Sequence, residues 1–140
     1  MAEESTTPDL VELTRWMLEA FGSGDFDPVL NVFAPDGVYD MSALGMGTFE
    51  GHVAIRSLWE DWYSAYEEYE NELEECQDLG GGVVFAVARQ DARPTGGAGR
   101  VQHRPVFISE WVEGMVVRVT VCYDTDEGRA AAERLAKSRR

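Results

Sequence analysis

The feature that most constrains this chain is an alternating run of side chains between residues 68 and 75. Glu68, Glu70, Glu72 and Glu74 alternate with Tyr69, Asn71, Leu73 and Glu75. Because successive side chains of a strand point to opposite faces, this run predicts a strand with one solvent-exposed, acidic face. Three β-rich segments follow, over residues 83–93, 101–112 and 115–124, separated by short turns. The second half of the chain therefore predicts antiparallel strands joined by hairpins.

Helical patterns occupy most of the first half of the chain and its end. The first helix is predicted to begin at the Thr7-Pro8 start signal, and the second begins at Asp27-Pro28 and includes Phe33. A third helix carries aromatic side chains on its inner stripe, over residues 55–66, and a fourth is the alanine-rich segment after residue 124. With a GVYDM strand before the third helix, this order predicts one α+β domain over residues 1–140, with helices on one face of a curved sheet.

Charge and cysteine content exclude several classes of function. Twelve basic residues against 26 acidic ones give a net charge of -14, which would repel nucleic acid. The N-terminus has no signal-peptide pattern, and no apolar run reaches membrane-spanning length, so a cytoplasmic protein without membrane contact is expected. Cys76 and Cys122 fit no metal-binding spacing. A metal site built on thiolates is therefore not expected.

Asp40 is a carboxylate with no cation nearby in sequence, at the end of the GVYDM strand. Strand alternation places it on one face with Val38, while Tyr39 and Met41 take the other. A carboxylate among apolar side chains binds protons more tightly, which suits a general acid or a general base in catalysis. The same residue in a turn could instead accept backbone N–H bonds from the loop that follows. Both interpretations are open at this point.

Four motifs in a fixed order carry a family resemblance: FGSGDFD, NVFAPDGVYDM, GTFEGHVAIRSLWEDW and FISEWVEGMVVRVTVCYD. Together they resemble the SnoaL-like, or polyketide cyclase-like, family of the nuclear transport factor 2-like superfamily. The resemblance implies a cone, in which helices close over a strongly curved, mainly antiparallel sheet and leave an internal cavity. It also implies homodimers and cofactor-free chemistry. The superfamily includes cyclases, isomerases and hydrolases, so the fold alone does not fix function.

Comparison with two enzyme groups of the superfamily gives candidate catalytic residues. Asp40 falls where the ketosteroid isomerases keep their general base, which implies that it faces the cavity. That group's oxyanion donors correspond to Met17 and Ser109 here. Arg89 and Asp91 resemble the Arg-x-Asp pair of the limonene epoxide hydrolases, whose second aspartate corresponds to Val121.

A small hydrophobic molecule is the expected ligand, with a wall that includes Met17, Leu58, Trp62, His103 and Val121. Three functions are open. The first is a cofactor-free cyclase, isomerase or hydrolase that uses Asp40, Arg89 and Asp91, with His103 as a further candidate for cyclase chemistry. The second is a noncatalytic binder of the same kind of molecule. The third is a protein-interaction or dimerisation module whose cone is filled by its own tryptophans.

Overall fold

The computed structural model describes residues 9–97 and 99–139. Its helices are α1 (Leu10–Gly22), α2 (Asp27–Leu30), α3 (His52–Ser64) and α4 (Thr125–Arg139), with a short 3-10 helix at Ser42–Leu44. Its strands are β1 (Phe33–Asp40), β2 (Thr48–Glu50), β3 (Tyr66–Gly80), β4 (Val83–Pro94), β5 (Val101–His103), β6 (Val106–Val112) and β7 (Met115–Cys122). The predicted α+β class is confirmed.

The start of α1 is set by Asp9. Its carboxylate accepts hydrogen bonds from the backbone N–H groups of Val11 and Glu12, at 3.1 and 3.2 Å. These are two of the donors that the first helical turn cannot satisfy by itself. The start signal predicted at Thr7-Pro8 lies outside the described residues.

All seven strands form one curved sheet, in the order β2-β1-β7-β6-β4-β3, with β5 also paired to β4. The pairing of β1 with β7 is parallel, and the other pairings are antiparallel. Register shifts within β3 and between β6 and β7 bend the sheet, because an extra residue in one strand increases the local twist. Within the described residues β2 pairs only with β1 and β3 only with β4, so these two strands are the ends of the strand order, and the short β5 also pairs on one side only, with β4.

Three elements differ from the sequence prediction. Helix α2 ends at Leu30, because Phe33 already pairs with Val116 as the first residue of β1. The predicted strand over residues 101–112 is divided into β5 and β6 at Pro105, whose ring nitrogen has no hydrogen to donate to a ladder. A short strand, β2, forms in the loop before α3.

The concave face of the sheet packs against α1, α2 and α3. Trp59 of α3 lies at the centre of this core, 4% exposed. Its ring meets those of Phe21, Phe33 and Tyr39 edge-on, with centroids 5.5, 5.5 and 5.6 Å away. Such edge-to-face pairs add to the free energy of burying each ring. This aromatic cluster joins the helices to the sheet and forms one side of the site described below.

Helix α4 packs on the opposite, convex face, so the expectation that the helices cover one face is wrong for α4. Ala132 and Ala136 are fully covered there, against a second core that includes Phe85 and Val106. Gly128 permits the close approach, because a Cβ atom at that position would lie 2.8 Å from Val106 Cγ1. Strands β4 and β6 are therefore buried on both faces.

Candidate functional site

A cavity of about 100 Å³ lies between the concave face of the sheet and helices α1 and α3. Helix α1 contributes Met17 to its wall, and α3 contributes Leu58 and Trp62. The sheet contributes residues from five strands, among them Val121 on β7. These four residues are candidates from the sequence that lie in one wall. Their contact with a ligand remains a prediction.

His103 lies at the rim of this cavity. It is directly opposite Gln90 in the β4–β5 pairing, so it belongs to the concave side of the sheet. Its ring stacks on Tyr123, with centroids 5.7 Å apart and planes 9° apart, and lies 6.3 Å from the ring of Trp62. Tyr123 and Trp62 both line the cavity. His103 therefore supports the wall through its neighbours.

Asp40 does not face the cavity, so the expected orientation is wrong. Its neighbours Tyr39 and Met41 line the cavity, and alternation turns Asp40 to the convex face. There its carboxylate accepts hydrogen bonds from the backbone N–H and the hydroxyl of Ser42, at 2.9 and 2.6 Å. Arg118 on β7 donates a further bond at 2.5 Å. The cation that sequence proximity did not reveal comes from the neighbouring parallel strand.

These contacts determine the charge state of Asp40. The hydrogen bond from the Ser42 hydroxyl is the largest influence on the carboxyl group, and with the Arg118 guanidinium it holds the pKa of Asp40 below its ordinary value. Partial burial acts in the opposite direction but is outweighed. A general base must reach the proton that it abstracts within hydrogen-bond distance, directly or through one water. Asp40 does not line the cavity, and its geometry is that of a turn cap with an ion-pair partner.

Arg89 and Asp91 share a face of β4, as expected, but it is the convex face. Arg89 pairs with Glu72 on β3. Asp91 accepts hydrogen bonds from Arg100 at 2.6 Å and Gln102 at 3.1 Å, and the Arg100 bond holds the pKa of Asp91 below its ordinary value. The expectation that the pair enters the cavity is wrong, because a shift of one residue along a strand exchanges the faces.

Gln90, the residue between them, faces the cavity instead. It is 5% exposed and lies in the wall. The sequence analysis did not predict Gln90 as a wall residue, because the charged residues on either side of it were expected to face the cavity. Its signal was the same alternation, read with the opposite face inward.

The cavity wall is uncharged. Among the described residues that form it there is no Asp, Glu, Lys, Arg or His. Its polar groups are the side chains of Thr14, Gln90 and Ser109, the indole N–H groups of two tryptophans, and the phenols of three tyrosines, two of which are Tyr39 and Tyr69. Burial raises the pKa of Tyr39 and of Tyr69, so both phenols stay protonated at neutral pH. The wall therefore offers neutral donors and acceptors.

Several of these polar groups already have partners within the protein. The Thr14 hydroxyl donates to the backbone carbonyl of Leu10 at 2.8 Å. The Ser109 hydroxyl oxygen accepts from the indole of Trp111 at 2.9 Å. The phenol oxygen of Tyr69 similarly accepts from the indole of Trp62, at 3.1 Å. These bonds hold the polar wall in a fixed arrangement.

No group of three or more His, Cys, Asp or Glu side chains in residues 9–97 and 99–139 is placed to hold a metal ion. In the same residues, no helix is long and apolar enough to cross a membrane.

A curved sheet that encloses a cavity with the help of its helices defines the class of nuclear transport factor 2-like, or ketosteroid isomerase-like, folds. An NTF2-like protein of unknown function from Burkholderia pseudomallei K96243 is 21% identical, with a TM-score of 0.72 over 90% of this chain and 98% of that one. The chain belongs to the SnoaL-like domain family, whose model matches residues 13–132. The predicted family is therefore confirmed.

Two other solved structures show the same fold. A Catenulispora acidiphila protein with a ketosteroid isomerase-like fold, in complex with trimethylamine, is 18% identical, with a TM-score of 0.70 over 91% of this chain and 94% of that one. An epoxide hydrolase of the LEH-like type from M. tuberculosis is 18% identical, with a TM-score of 0.66 over 89% of each chain. No curated protein matches this chain.

Proposed function

We propose that this protein binds a small, largely apolar molecule in the cavity, without acid or base catalysis by its carboxylates. The observation that carries the proposal is the uncharged wall, because Asp40, Arg89 and Asp91 all lie on the convex face. A catalytic acid or base must reach the reacting atoms within hydrogen-bond distance, directly or through one water. Neutral phenols and amides orient a ligand but do not abstract protons at neutral pH.

The size of the cavity limits the ligand. A cavity of about 100 Å³ is somewhat smaller than an engineered apolar cavity of about 150 Å³ that binds benzene. Pockets for drug-sized ligands usually span roughly 300–1,000 Å³. The proposed ligand is therefore about the size of one ring, and a polycyclic molecule would require the helices to move.

Toluene is a suitable probe for this proposal, measured by calorimetry and by melting temperature. At a concentration tenfold above the dissociation constant, binding stabilises the fold by about 1.4 kcal/mol. We expect Val121→Trp to abolish the effect, because the new ring occupies the cavity. Val53→Trp is the matched control, because Val53 is 86% exposed on α3. Unchanged toluene binding by Val121→Trp would remove the cavity as the binding site, and no binding by the wild type would refute the proposal.

Turnover assays test the excluded chemistry. We expect no turnover of epoxides, enones or polyketide-like substrates that depends on Asp40, Arg89 or Asp91. Wild-type turnover that is lost in Asp40→Asn, with binding of toluene retained, would restore the catalytic hypothesis and refute the proposed lack of carboxylate catalysis.

We also propose a homodimer formed through the convex face of the sheet. Helix α4 covers β4 and β6 there, while the outer side of β3 stays exposed with pairs such as Glu72–Arg89 and Glu74–Arg104. Mixed charges of this kind can pair across a two-fold axis, on which one patch meets its own copy. Light scattering should give twice the 15.6 kDa of one chain, and a mass of 15.6 kDa at micromolar concentration would contradict the proposal.

A further inference from the structure

Gln90 occupies an unusual position in the wall of the cavity. It is in the middle of β4, with Asn71 of β3 opposite on one side and His103 of β5 on the other. Its inward neighbours along β4 are Ala88 and Ala92, 0% and 1% exposed. Because these alanines are short, the glutamine is the longest inward side chain on this part of the strand.

No hydrogen bond joins the amide of Gln90 to another described residue, although the side chain is 5% exposed and lies in the cavity wall. Among the described residues, the indole N–H of Trp59 in the same wall and the side-chain amide of Asn71, opposite Gln90 on β3, are also without a partner. Thr14, Ser109 and Tyr69, by contrast, each hold a bond within the protein. A glutamine amide offers two N–H donors and one carbonyl acceptor. Buried polar groups are nearly always paired, with protein, water or ligand. An unpaired amide aimed at a cavity indicates a partner that enters that cavity.

We propose that Gln90 is the polar anchor of the cavity, and that the ligand is a neutral molecule of about one ring with a single hydrogen-bonding oxygen, such as a phenol or a small cyclic alcohol. This inference rests on the proposed binding function. A hydroxyl group suits the site because it donates to the amide carbonyl or accepts from the amide N–H. The remaining wall is largely aromatic and aliphatic, which suits the ring.

The ligand is neutral because no charged side chain of the described wall could stabilise an ion. A carboxylate would also approach a chain with a net charge of -14. Moving an unpaired carboxylate into such a wall is costly, since no cation compensates the lost hydration. Phenol should therefore bind more tightly than benzoate.

Toluene and phenol are the probes, because they have the same number of heavy atoms and differ in one methyl or hydroxyl group. Dissociation constants for both are measured by calorimetry on the wild type, on Gln90→Met and on Gln102→Met. Gln102 is the matched control, because it is an exposed glutamine on β5 that donates to Asp91 on the convex face. We expect Gln90→Met to weaken phenol binding about tenfold and leave toluene binding unchanged or tighter. Gln102→Met should change neither.

A measurement on the wild type makes the test independent of how well Gln90→Met folds. The side-chain amide resonances of Gln90 should shift when phenol is added and should stay in place with toluene. The role of Gln90 as anchor would be refuted if the ratio of the phenol and toluene affinities were unchanged in Gln90→Met. It would also be refuted if the amide resonances of Gln90 did not shift on addition of phenol. Neither result would contradict the proposed binding function. Benzoate binding as tight as phenol would refute the neutral class. If neither toluene nor phenol binds to the wild type, the anchor and the binding function are both wrong.

Discussion

Replacement of Asp40 should destabilise the fold and leave the cavity intact. The carboxylate is 12% exposed and bonds to Ser42 and to Arg118, which is 39% exposed. Loss of cap-type bonds such as those from Ser42 costs about 1 kcal/mol. Loss of the charge-assisted bond to Arg118 costs about 1–2 kcal/mol, the low part of the usual range, because water screens the exposed guanidinium. Asp40→Ala should therefore lose about 2–3 kcal/mol.

Asp40→Asn separates the two contributions. The amide oxygen can still accept the Ser42 bonds, so the expected loss is about 1–2 kcal/mol, from Arg118 alone. For a chain of this length, 1 kcal/mol corresponds to roughly 4 °C in melting temperature. We expect decreases of about 10 °C for Asp40→Ala and about half that for Asp40→Asn, measured by calorimetry. The exposed Asp25→Asn is the control and should melt within about 2 °C of the wild type.

The same pair predicts a pH dependence with a definite sign. The pKa of Asp40 is lower in the folded protein than in the unfolded chain. Its stabilisation is therefore complete above the unfolded value of about 4 and disappears as the pH falls through the folded value. The difference in stability between wild type and Asp40→Asn should therefore be constant above about pH 5 and should shrink as the pH falls below the unfolded value of about 4.

Two outcomes would refute this account of Asp40. One is a melting temperature of Asp40→Asn at or above that of the wild type, as expected for a strained carboxylate held ready for chemistry. The other is a double-mutant cycle of Asp40→Asn with Arg118→Met that gives no coupling, where the structure predicts about 1 kcal/mol. Toluene affinity should be unchanged throughout, because neither side chain lines the cavity.

Three other predictions concern packing and reactivity. Gly82→Ala should cost about 2–4 kcal/mol, because its φ is +78° and a Cβ atom would lie 2.4 Å from the Trp111 carbonyl oxygen. Gly45→Ala, at φ +77° with open space, should cost only about 1 kcal/mol, and equal losses in chemical denaturation would contradict the clash. Phe85→Ala should cost about 3–5 kcal/mol, because the ring is fully buried under α4, and a loss below about 1 kcal/mol would mean that α4 does not pack there. Burial raises the pKa of Cys76 to about 11, so iodoacetamide at about pH 8 should react on the order of a hundredfold more slowly than with the urea-unfolded chain, and equal rates would contradict the burial.

The fold could be predicted largely from periodicity, whereas the inward faces of the strands could not. The glutamates of β3 indicate their exposed face directly. In β4, residues 83–88 are apolar on both faces because α4 covers the convex one, so the run does not reveal which alternate residues point into the cavity. Charge then suggested Arg89 and Asp91, while the structure turns Gln90 inward. The ion-pair partner of Asp40 could not be predicted from the sequence either. Arg118 is 78 residues away in sequence, and the parallel pairing of β1 with β7 brings the two side chains together.

The edges of the sheet determine how this chain avoids edge-to-edge aggregation. An open edge is a template on which another copy can add a strand. At one end, β2 is three residues long, so an added strand could form only a few backbone hydrogen bonds with it. At the other end β3 has 15 residues, of which seven are acidic and none is basic, so a second β3 would place like charges opposite one another. Loss of these charges would remove that protection. Replacement of the β3 glutamates by glutamine should therefore promote fibril growth from the β3 edge.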